Sequence, residues 1–325
     1  MDKKIRNLIV TGSAAAALAA SVGVFSHIAA GMLMNLALDR PDSGKHSGGH
    51  RRASGNKTVS ELKKLSLALG EELAGKELEE VEIESFDGTR LVGHWYPCEN
   101  AEKVIVAMHG WRSSWYKDFG ALSEYWHKRG CSVVFAEQRG QNKSGGEVMS
   151  FGILERRDCV EWAKWAQEKT EGKLPIYLMG VSMGAATVMM ASCLELPENV
   201  KGIIADCGYT SPHDIWGSVT QNRFHIPYVL CRDRAERICL KRVKEGARAH
   251  TCPNALKNSK VPVMFVHGSD DKFVPIEMTY ENYKACTADK RLLIVPGAEH
   301  GMSYMTDPEK YQEAMELFWK GCESV

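Results

Sequence analysis

One pentapeptide constrains this 325-residue chain more than any other stretch, namely Gly-Val-Ser-Met-Gly at positions 180–184. The apolar residues 174–179 before it predict a buried strand, and the small and apolar residues 185–191 after it predict a buried helix. A serine in a G-x-S-x-G motif between strand and helix lies on a tight, strained turn, where flanking side chains would collide with neighbouring elements. The helix directs its unpaired N–H groups toward that serine. The motif therefore predicts a nucleophile elbow with Ser182 as nucleophile.

Stretches typical of strands alternate with stretches typical of helices along most of the chain. The first two strands flank the turn at residues 87–89 and form a hairpin, whereas the later alternation favours a mostly parallel sheet with helices on both faces. The predicted strands are 81–86, 91–96, 104–108, 132–136, 175–179, 202–205, 262–266 and 292–295. The predicted helices are 58–74, 114–129, 152–170, 183–195, 276–285 and 307–320.

Reactive side chains follow the ends of several predicted strands. His109-Gly110-Trp111 follows the third strand, Ser182 the fifth, Asp271 the seventh and His300 the eighth. Ligand sites in open parallel sheets lie beyond the carboxyl ends of the strands. The sequence thus predicts a hydroxyl, a carboxylate and an imidazole at one edge of the sheet.

These motifs resemble the α/β-hydrolase superfamily from about residue 81 to the C-terminus, and the order Ser…Asp…His is the one expected of that fold. Residues 267–275 are similar to the pattern H-G-x-x-D-x-x-V-P, which assigns the acid to Asp271 in preference to Asp270. Residues 139–146 resemble the loop after the fourth strand, although Glu137 and Asn142 replace its usual Asp and second Gly. Within the superfamily, the chain most resembles bacterial membrane-anchored serine hydrolases related to esterases and serine aminopeptidases.

The resemblance implies a role for each of these groups. Ser182 is the nucleophile, His300 the general base and Asp271 the group that orients the base. The backbone N–H groups of Trp111 and Met183 form the oxyanion hole. We expect a carboxylesterase-like enzyme that cleaves carboxylic esters, or alternatively amides or thioesters, through an acyl-enzyme. A serine peptidase and an acyltransferase with the same triad remain alternatives.

Three aromatic residues are candidates for the wall of the substrate pocket. Trp115 and Tyr116 follow the oxyanion strand closely, and Trp216 lies in an insertion of about residues 207–260. Packing in the core is an equally good interpretation for one of them. The insertion also contains a basic amphipathic stretch at 228–244, which predicts either a lid over the site or a solvated surface helix.

The N-terminal segment differs in kind from the rest of the chain. Lys3, Lys4 and Arg6 precede a stretch from residue 8 to residue 38 without a charged side chain, which is long enough to span a bilayer. We therefore predict a hydrophobic helix that anchors the protein in a membrane within residues 1–40. A polar linker at 41–57 and a catalytic domain at 58–325 follow.

Cleavage of this segment as a signal peptide is the alternative, because a small-x-small site occurs at residues 29–31. Basic residues on both sides leave the orientation in the membrane undetermined, and the signal-like start favours an extracytoplasmic catalytic domain.

Composition narrows the choice of partners. Lys plus Arg and Asp plus Glu both number 41, so the balance gives no basic field for nucleic acid. The sequence shows no metal-binding spacing, dinucleotide fingerprint or P-loop, and we expect neither a metal nor a cofactor. The ten cysteines are scattered without a C-x-x-C pair, which favours free thiols. The expected partners are a small ester or acyl substrate and a membrane, and the sequence does not determine the oligomeric state.

Overall fold

A computed structural model describes residues 23–41 and 57–323 of the chain. Its centre is an eight-stranded sheet with the order β1-β2-β4-β3-β5-β6-β7-β8. β2 is antiparallel to both β1 and β4, and all other neighbours are parallel. The strands are β1 Glu79–Glu84, β2 Arg90–Tyr96, β3 Lys103–Met108, β4 Cys131–Ala136, β5 Ile176–Val181, β6 Val200–Asp206, β7 Val263–Gly268 and β8 Lys290–Val295. The predicted mostly parallel sheet is confirmed.

Helices cover both faces of this sheet. In chain order, they are α1 at residues 23–38, α2 Lys57–Ala74, α3 Trp115–Lys128, α4 Glu155–Lys169, α5 Met183–Ala191, α6 Pro212–Phe224, α7 Arg232–Val243, α8 Cys252–Leu256, α9 Ile276–Ala285, α10 Ser303–Thr306 and α11 Pro308–Cys322. A 3₁₀ turn at Tyr228–Leu230 joins α6 to α7. The predicted insertion thus consists largely of α6, the 3₁₀ turn, α7 and α8.

Alternation along the strands divides the core into two halves. In β3, Val104 and Val106 contribute to one apolar cluster, and Ile105 contributes to the other. Side chains of successive strand residues point to opposite faces of a sheet, so each strand supplies both clusters. The first cluster contains α1, α4, α5 and the insertion, and the second contains α2, α3 and α11. Burial on both faces explains why the central strands are continuous apolar runs.

Helix α1 packs on the domain along one side. Ala30, Leu33, Met34, Ala37 and Leu38 recur at helical spacing, are at most 8% exposed, and belong to the same apolar cluster as α4 and α5. This part of the predicted anchor therefore contributes to the core of the catalytic domain.

Within residues 23–41 and 57–323, no helix has both the length and the apolar character needed to cross a bilayer. The remainder of the predicted anchor and most of the predicted linker, residues 1–22 and 42–56, lie outside the described residues.

Candidate active site

The turn between β5 and α5 holds Ser182 in a strained backbone conformation, with φ 56° and ψ −113°. Both flanking glycines are required by close approach of the backbone. A Cβ atom on Gly184 would lie 1.8 Å from the carbonyl oxygen of Met108, and one on Gly180 would lie 2.1 Å from the carbonyl oxygen of Gly184. Only glycine fits either position, so the chain folds over itself here and presents the serine at the carboxyl end of β5.

A continuous chain of hydrogen bonds links Ser182, His300 and Asp271. His300 Nε2 lies 2.9 Å from Ser182 Oγ, and His300 Nδ1 lies 2.6 Å from Asp271 Oδ2. An ionised carboxylate only accepts, so Nδ1 carries the proton and Nε2 is free to accept the serine proton. The loop that carries His300 is bounded by Gly297 and Gly301, with φ values of 74° and 66° that suit glycine. The structure thus brings together three residues that are far apart in the sequence.

Asp271 is fixed in place by backbone donors. Its Oδ1 accepts hydrogen bonds from the N–H groups of Phe273 at 2.8 Å and Val274 at 3.0 Å. Burial by itself raises the pKa of Asp271, but the neighbouring His300 and His267 outweigh this effect and hold the pKa well below its ordinary value. The side chain therefore stays ionised at neutral pH. The alternative acid, Asp270, is exposed and accepts a hydrogen bond from the Ser269 hydroxyl instead.

The electrostatics of His300 follow from the buried carboxylate beside it. Burial by itself lowers the pKa of His300, but the charge of Asp271 outweighs it and raises that pKa well above the ordinary 6.5. The raised value means that the imidazole becomes a strong proton acceptor when it is neutral.

Cys207 is a neighbour of the triad that sequence reasoning missed. It directly follows β6, has φ 48°, and is fully buried beside His300. Burial raises the pKa of its thiol to about 11, so the group is neutral at physiological pH. Ligand-capable atoms of Cys207, Asp271 and His300 lie within 4.8 Å of one another. Asp271 and His300 are already hydrogen-bonded to each other. No motif in the sequence indicates that Cys207 lies beside them.

The loop after β3 lies against the serine and is rigidly bonded. His109 donates from Nδ1 to the carbonyl of Gly110 at 2.8 Å and accepts at Nε2 from the N–H of Gln138 at 3.2 Å. Asp118 accepts from the N–H of Gly110 at 2.7 Å. The position that a Cβ would occupy on Gly110 lies 3.5 Å from Ser182 Cβ, so the loop approaches the nucleophile closely.

One predicted oxyanion donor directly follows Ser182, and the other lies in the loop after β3. Trp111 follows Gly110 in this rigid loop, and Met183 is the first residue of α5. The N–H of a first helical residue has no acceptor within its own helix and is therefore available to a ligand. Their use as an oxyanion hole remains a prediction.

Helix α1 supports the same loop through its carbonyl groups. Trp111 donates from Nε1 to the carbonyl of Ala37 at 2.9 Å. Arg112 donates from Nη2 to the carbonyls of Leu36 at 3.1 Å and Asp39 at 3.0 Å. The C-terminal end of α1 is thus bonded to the two residues that directly follow Gly110. The sequence gives no sign of this contact, because an uncharged segment of this length predicts a membrane anchor.

An aromatic cluster lies beneath α1. The rings of Trp111 and Phe151 are 6.0 Å apart, those of Phe151 and Trp216 are 5.5 Å apart, and Tyr209 donates from Oη to the carbonyl of Phe151 at 3.1 Å. Of the three predicted pocket residues, only Trp216 belongs to this cluster. Phe151 and Tyr209 lie in segments that show no distinctive pattern in the sequence.

Trp115 and Tyr116 lie elsewhere. The ring of Trp115 is stacked on His94 at 4.3 Å and lies 5.4 Å from Phe135, within the apolar cluster on the opposite face of the sheet. Tyr116 contacts Trp115 edge to face at 5.5 Å. Because α3 begins at Trp115, the chain has already turned toward that face. Both residues stabilise the core and do not contact the aromatic cluster beside Trp111.

The insertion packs along α1. In α7, Ala235, Cys239 and Val243 are buried, and Arg242 forms an ion pair of 2.6 Å with Asp39 just after α1. The basic stretch predicted from the sequence is therefore a helix with one buried side, placed beside the segment that supports the loop. Movement of this region as a lid remains a prediction.

Comparisons with known proteins agree with this architecture. Residues 99–225 match the family model described as serine aminopeptidase, S33. The uncharacterized protein YqkD of Bacillus subtilis is 25% identical over 239 residues, covering 73% of this chain and 77% of YqkD.

Two solved structures share the fold. The esterase Pf2001 of Pyrococcus furiosus superposes with a TM-score of 0.61 at 22% identity, covering 83% of this chain and 96% of the esterase. Est1E from Butyrivibrio proteoclasticus, solved with ferulic acid bound, superposes with a TM-score of 0.58 at 18% identity, covering 75% of this chain and 100% of Est1E. The chain has the α/β-hydrolase fold, as its motifs predicted.

Proposed function

We propose that this chain is a serine hydrolase that cleaves carboxylic esters through an acyl-enzyme intermediate. The observation that carries the proposal is the hydrogen-bonded chain Asp271–His300–Ser182, with distances of 2.6 and 2.9 Å. It occurs beyond the carboxyl ends of parallel strands and beside the hydrogen-bonded loop after β3. The similarity in fold to the esterase of Pyrococcus furiosus supports an ester in preference to other acyl substrates.

The reaction follows from where the protons can go. His300 Nε2 takes the hydroxyl proton of Ser182 as Oγ attacks the ester carbonyl, and the resulting imidazolium is stabilised by ionised Asp271. The oxyanion of the tetrahedral intermediate accepts from the N–H groups of Trp111 and Met183. The imidazolium then returns its proton to the leaving alcohol, and an acyl-serine remains. Water, deprotonated by His300, releases the carboxylic acid and restores the hydroxyl.

A serine peptidase is the second candidate, because residues 99–225 match a family model described as serine aminopeptidase. The two functions differ in the bond that is cleaved. We expect purified full-length protein to hydrolyse p-nitrophenyl butyrate with a kcat/KM at least about a hundredfold above that for aminoacyl p-nitroanilides, since an amine is a poorer leaving group than a phenol. Faster release of nitroaniline from an anilide with a free N-terminal amine would instead identify a peptidase.

The acyltransferase alternative differs only in the acceptor of the acyl group. Product analysis after a primary alcohol is added to the ester assay distinguishes hydrolysis from acyl transfer. A transferase forms the new ester in preference to the free acid. We expect the free acid to predominate.

The pH dependence of this activity tests the role of His300. Because only neutral His300 accepts the serine proton, kcat/KM falls as pH drops through the pKa of this residue. That pKa is raised by Asp271, so we expect the midpoint of the acid limb above the ordinary value of 6.5. The measurement is kcat/KM for a p-nitrophenyl ester across the range from weakly acidic to weakly alkaline buffer.

Two variants of neighbouring residues provide the comparison. Asp271→Asn removes the charge that raises the pKa of His300, so the acid limb moves to lower pH while the maximal rate falls by about 10⁴-fold. Asp270→Asn changes an exposed neighbour and leaves the limb where it was. An acid limb that is the same in all three proteins would contradict the assigned base and acid.

A membrane location belongs to the proposal as well. Residues 8–22 are uncharged and lead directly into α1, whose far end supports the loop beside Ser182. We therefore propose that the N-terminal segment is retained as an anchor. Cleavage at the small-x-small site at residues 29–31 would cut α1 near its middle and remove its N-terminal half. An extracytoplasmic position of the catalytic domain remains a proposal too, and comparing protease accessibility in intact and lysed cells tests it.

A further inference from the structure

The outward side of α1 is apolar although it faces solvent. Its side chains are between 43% and 69% exposed and recur every three or four residues, so they share one face of the helix. They are Val24, Phe25, Ile28, Met32 and Leu36. The inward side of the same helix is buried in the core, as described above. A surface helix of a soluble domain carries mostly polar or charged residues on its outer side, whereas α1 has no Asp, Glu, Lys or Arg and exposes only His27 and Asn35 as polar side chains.

The insertion, which packs along α1, adds exposed apolar side chains of its own. Phe224, Val229, Leu230 and Leu240 are between 37% and 60% exposed. The hydroxyl of Ser26 donates to the carbonyl of Leu230, which places the 3₁₀ turn directly against α1. We call these nine side chains, five from α1 and four from the insertion, the outer apolar face. Exposed apolar surface of this extent on a folded domain marks an interaction site.

Charge and chain connectivity indicate what covers the outer apolar face. Helix α7 carries five basic residues and two acidic ones, and Lys244 follows it. Basic side chains next to an apolar surface favour contact with anionic lipid headgroups. The uncharged residues 8–22 join α1 at Gly23, next to the exposed Val24, and Lys3, Lys4 and Arg6 precede them. A bilayer accepts the apolar side chains, the basic helix and the apolar segment together.

We propose that the outer apolar face docks on a bilayer that contains anionic phospholipid, and that the substrate is an ester with a long acyl chain taken from that bilayer. The second part rests on the function proposed above. The same helix that presents Ile28 and Met32 outward bonds to Trp111 through its Ala37 carbonyl. The aromatic cluster of Trp111, Phe151 and Trp216 lies beneath it. The proposed path of the acyl chain therefore runs from the bilayer along α1 to Trp111, in the loop that lies against Ser182.

Photolabelling tests the docking independently of catalysis. The full-length protein is reconstituted into vesicles of equal parts phosphatidylcholine and phosphatidylglycerol that contain a phosphatidylcholine with a diazirine on its acyl chain. Labelled peptides are then mapped by mass spectrometry. We expect adducts within residues 24–36 and 224–240. The internal control is α2, where Leu65 and Leu67 are similarly exposed on a helix that packs on the opposite face of the sheet and stay unlabelled.

Matched double variants test the choice of substrate. Ile28→Gln/Met32→Gln weakens docking, so the kcat/KM for p-nitrophenyl palmitate in the vesicles falls by about tenfold or more, while that for p-nitrophenyl acetate in solution changes less than about twofold. Leu65→Gln/Leu67→Gln leaves both rates unchanged. Arg237→Gln/Lys241→Gln lowers the rate on p-nitrophenyl palmitate in vesicles only when phosphatidylglycerol is present. The control Lys64→Gln/Lys310→Gln leaves this rate unchanged in vesicles with or without phosphatidylglycerol.

Each other outcome contradicts a distinct part of the proposal. Adducts confined to residues 1–22 mean that the anchor alone contacts lipid. Loss of labelling together with a doubled mass in solution identifies a second copy of the chain as the occupant. Equal losses on palmitate and acetate mean that the outer apolar face gives no preference for the ester held in the bilayer, and the second part of the proposal fails. If no ester is hydrolysed at all and the expected adducts still form, the docking stands and the proposed esterase function fails.

Discussion

Ser182→Ala lowers kcat/KM for p-nitrophenyl esters by about 10⁴- to 10⁶-fold and leaves the fold intact. The large factor follows because the substitution removes the only atom that forms the acyl bond, whereas the backbone donors of Trp111 and Met183 still polarise the carbonyl and sustain a small residual rate. The fold survives because the substituted alanine retains the Cβ that the strained turn already accommodates at φ 56°. The measurement is steady-state hydrolysis with a parallel thermal unfolding curve.

The matched control for that experiment is Ser60→Ala. Ser60 lies near the start of α2, a helix that packs on the opposite face of the sheet from the insertion, and its replacement leaves kcat/KM within about twofold. If Ser182→Ala kept more than about one per cent of the parental activity after repurification, another nucleophile would be at work.

Gly184→Ala prevents folding or destabilises the protein by more than about 4 kcal/mol. The added Cβ would lie 1.8 Å from the carbonyl oxygen of Met108 and 2.9 Å from that of His109. Neither atom can retreat, because β3 is hydrogen-bonded between β4 and β5 in the middle of the sheet. The clash is between backbone atoms and one rigid methyl group, so no rotamer change relieves it. Urea unfolding followed by tryptophan fluorescence measures the loss.

Gly31→Ala is the control for this second prediction. A Cβ on Gly31 meets nothing within 4 Å, and the residue lies within α1, where alanine is the better helix former by about 0.5–1 kcal/mol. We expect unchanged or slightly increased stability. A midpoint for Gly184→Ala close to that of Gly31→Ala would show that the elbow is built differently from the description above.

The sheet could be predicted from sequence because its strands are buried on both faces. Short continuous apolar runs such as β3 and β5 are typical of strands that are buried on both faces. Each of the eight predicted strands overlaps an observed one. The elbow was predictable because its geometry requires glycine at two positions. A Cβ atom at Gly184 or Gly180 would lie 1.8 or 2.1 Å from a backbone oxygen, which no other residue tolerates.

The pocket was less predictable because closeness in sequence does not determine which face a side chain occupies. Trp115 and Tyr116 follow Trp111 by only a few residues, yet α3 starts at Trp115 and carries both into the core of the opposite face. Phe151 lies in the aromatic cluster because its own backbone adopts φ 58°. This conformation is uncommon for a residue other than glycine and cannot be predicted from the neighbouring sequence.

The uncharged N-terminal segment shows a different limit. A helix that is apolar all round has no polar side to indicate which part contacts protein and which contacts lipid. The sequence therefore predicted a single anchor within residues 1–40, whereas Leu33, Met34 and Ala37 pack in the domain core and the Ala37 carbonyl bonds to Trp111. Only tertiary contacts distinguish the two sides of α1.

The central claim, that Ser182 is activated by His300, is tested most directly by covalent labelling with a fluorophosphonate followed by peptide mapping. We expect a single adduct on the peptide that contains Ser182, no adduct in Ser182→Ala, and labelling slowed by about 10³-fold or more in His300→Ala. An adduct on any other residue, or labelling that persists in Ser182→Ala, would contradict it.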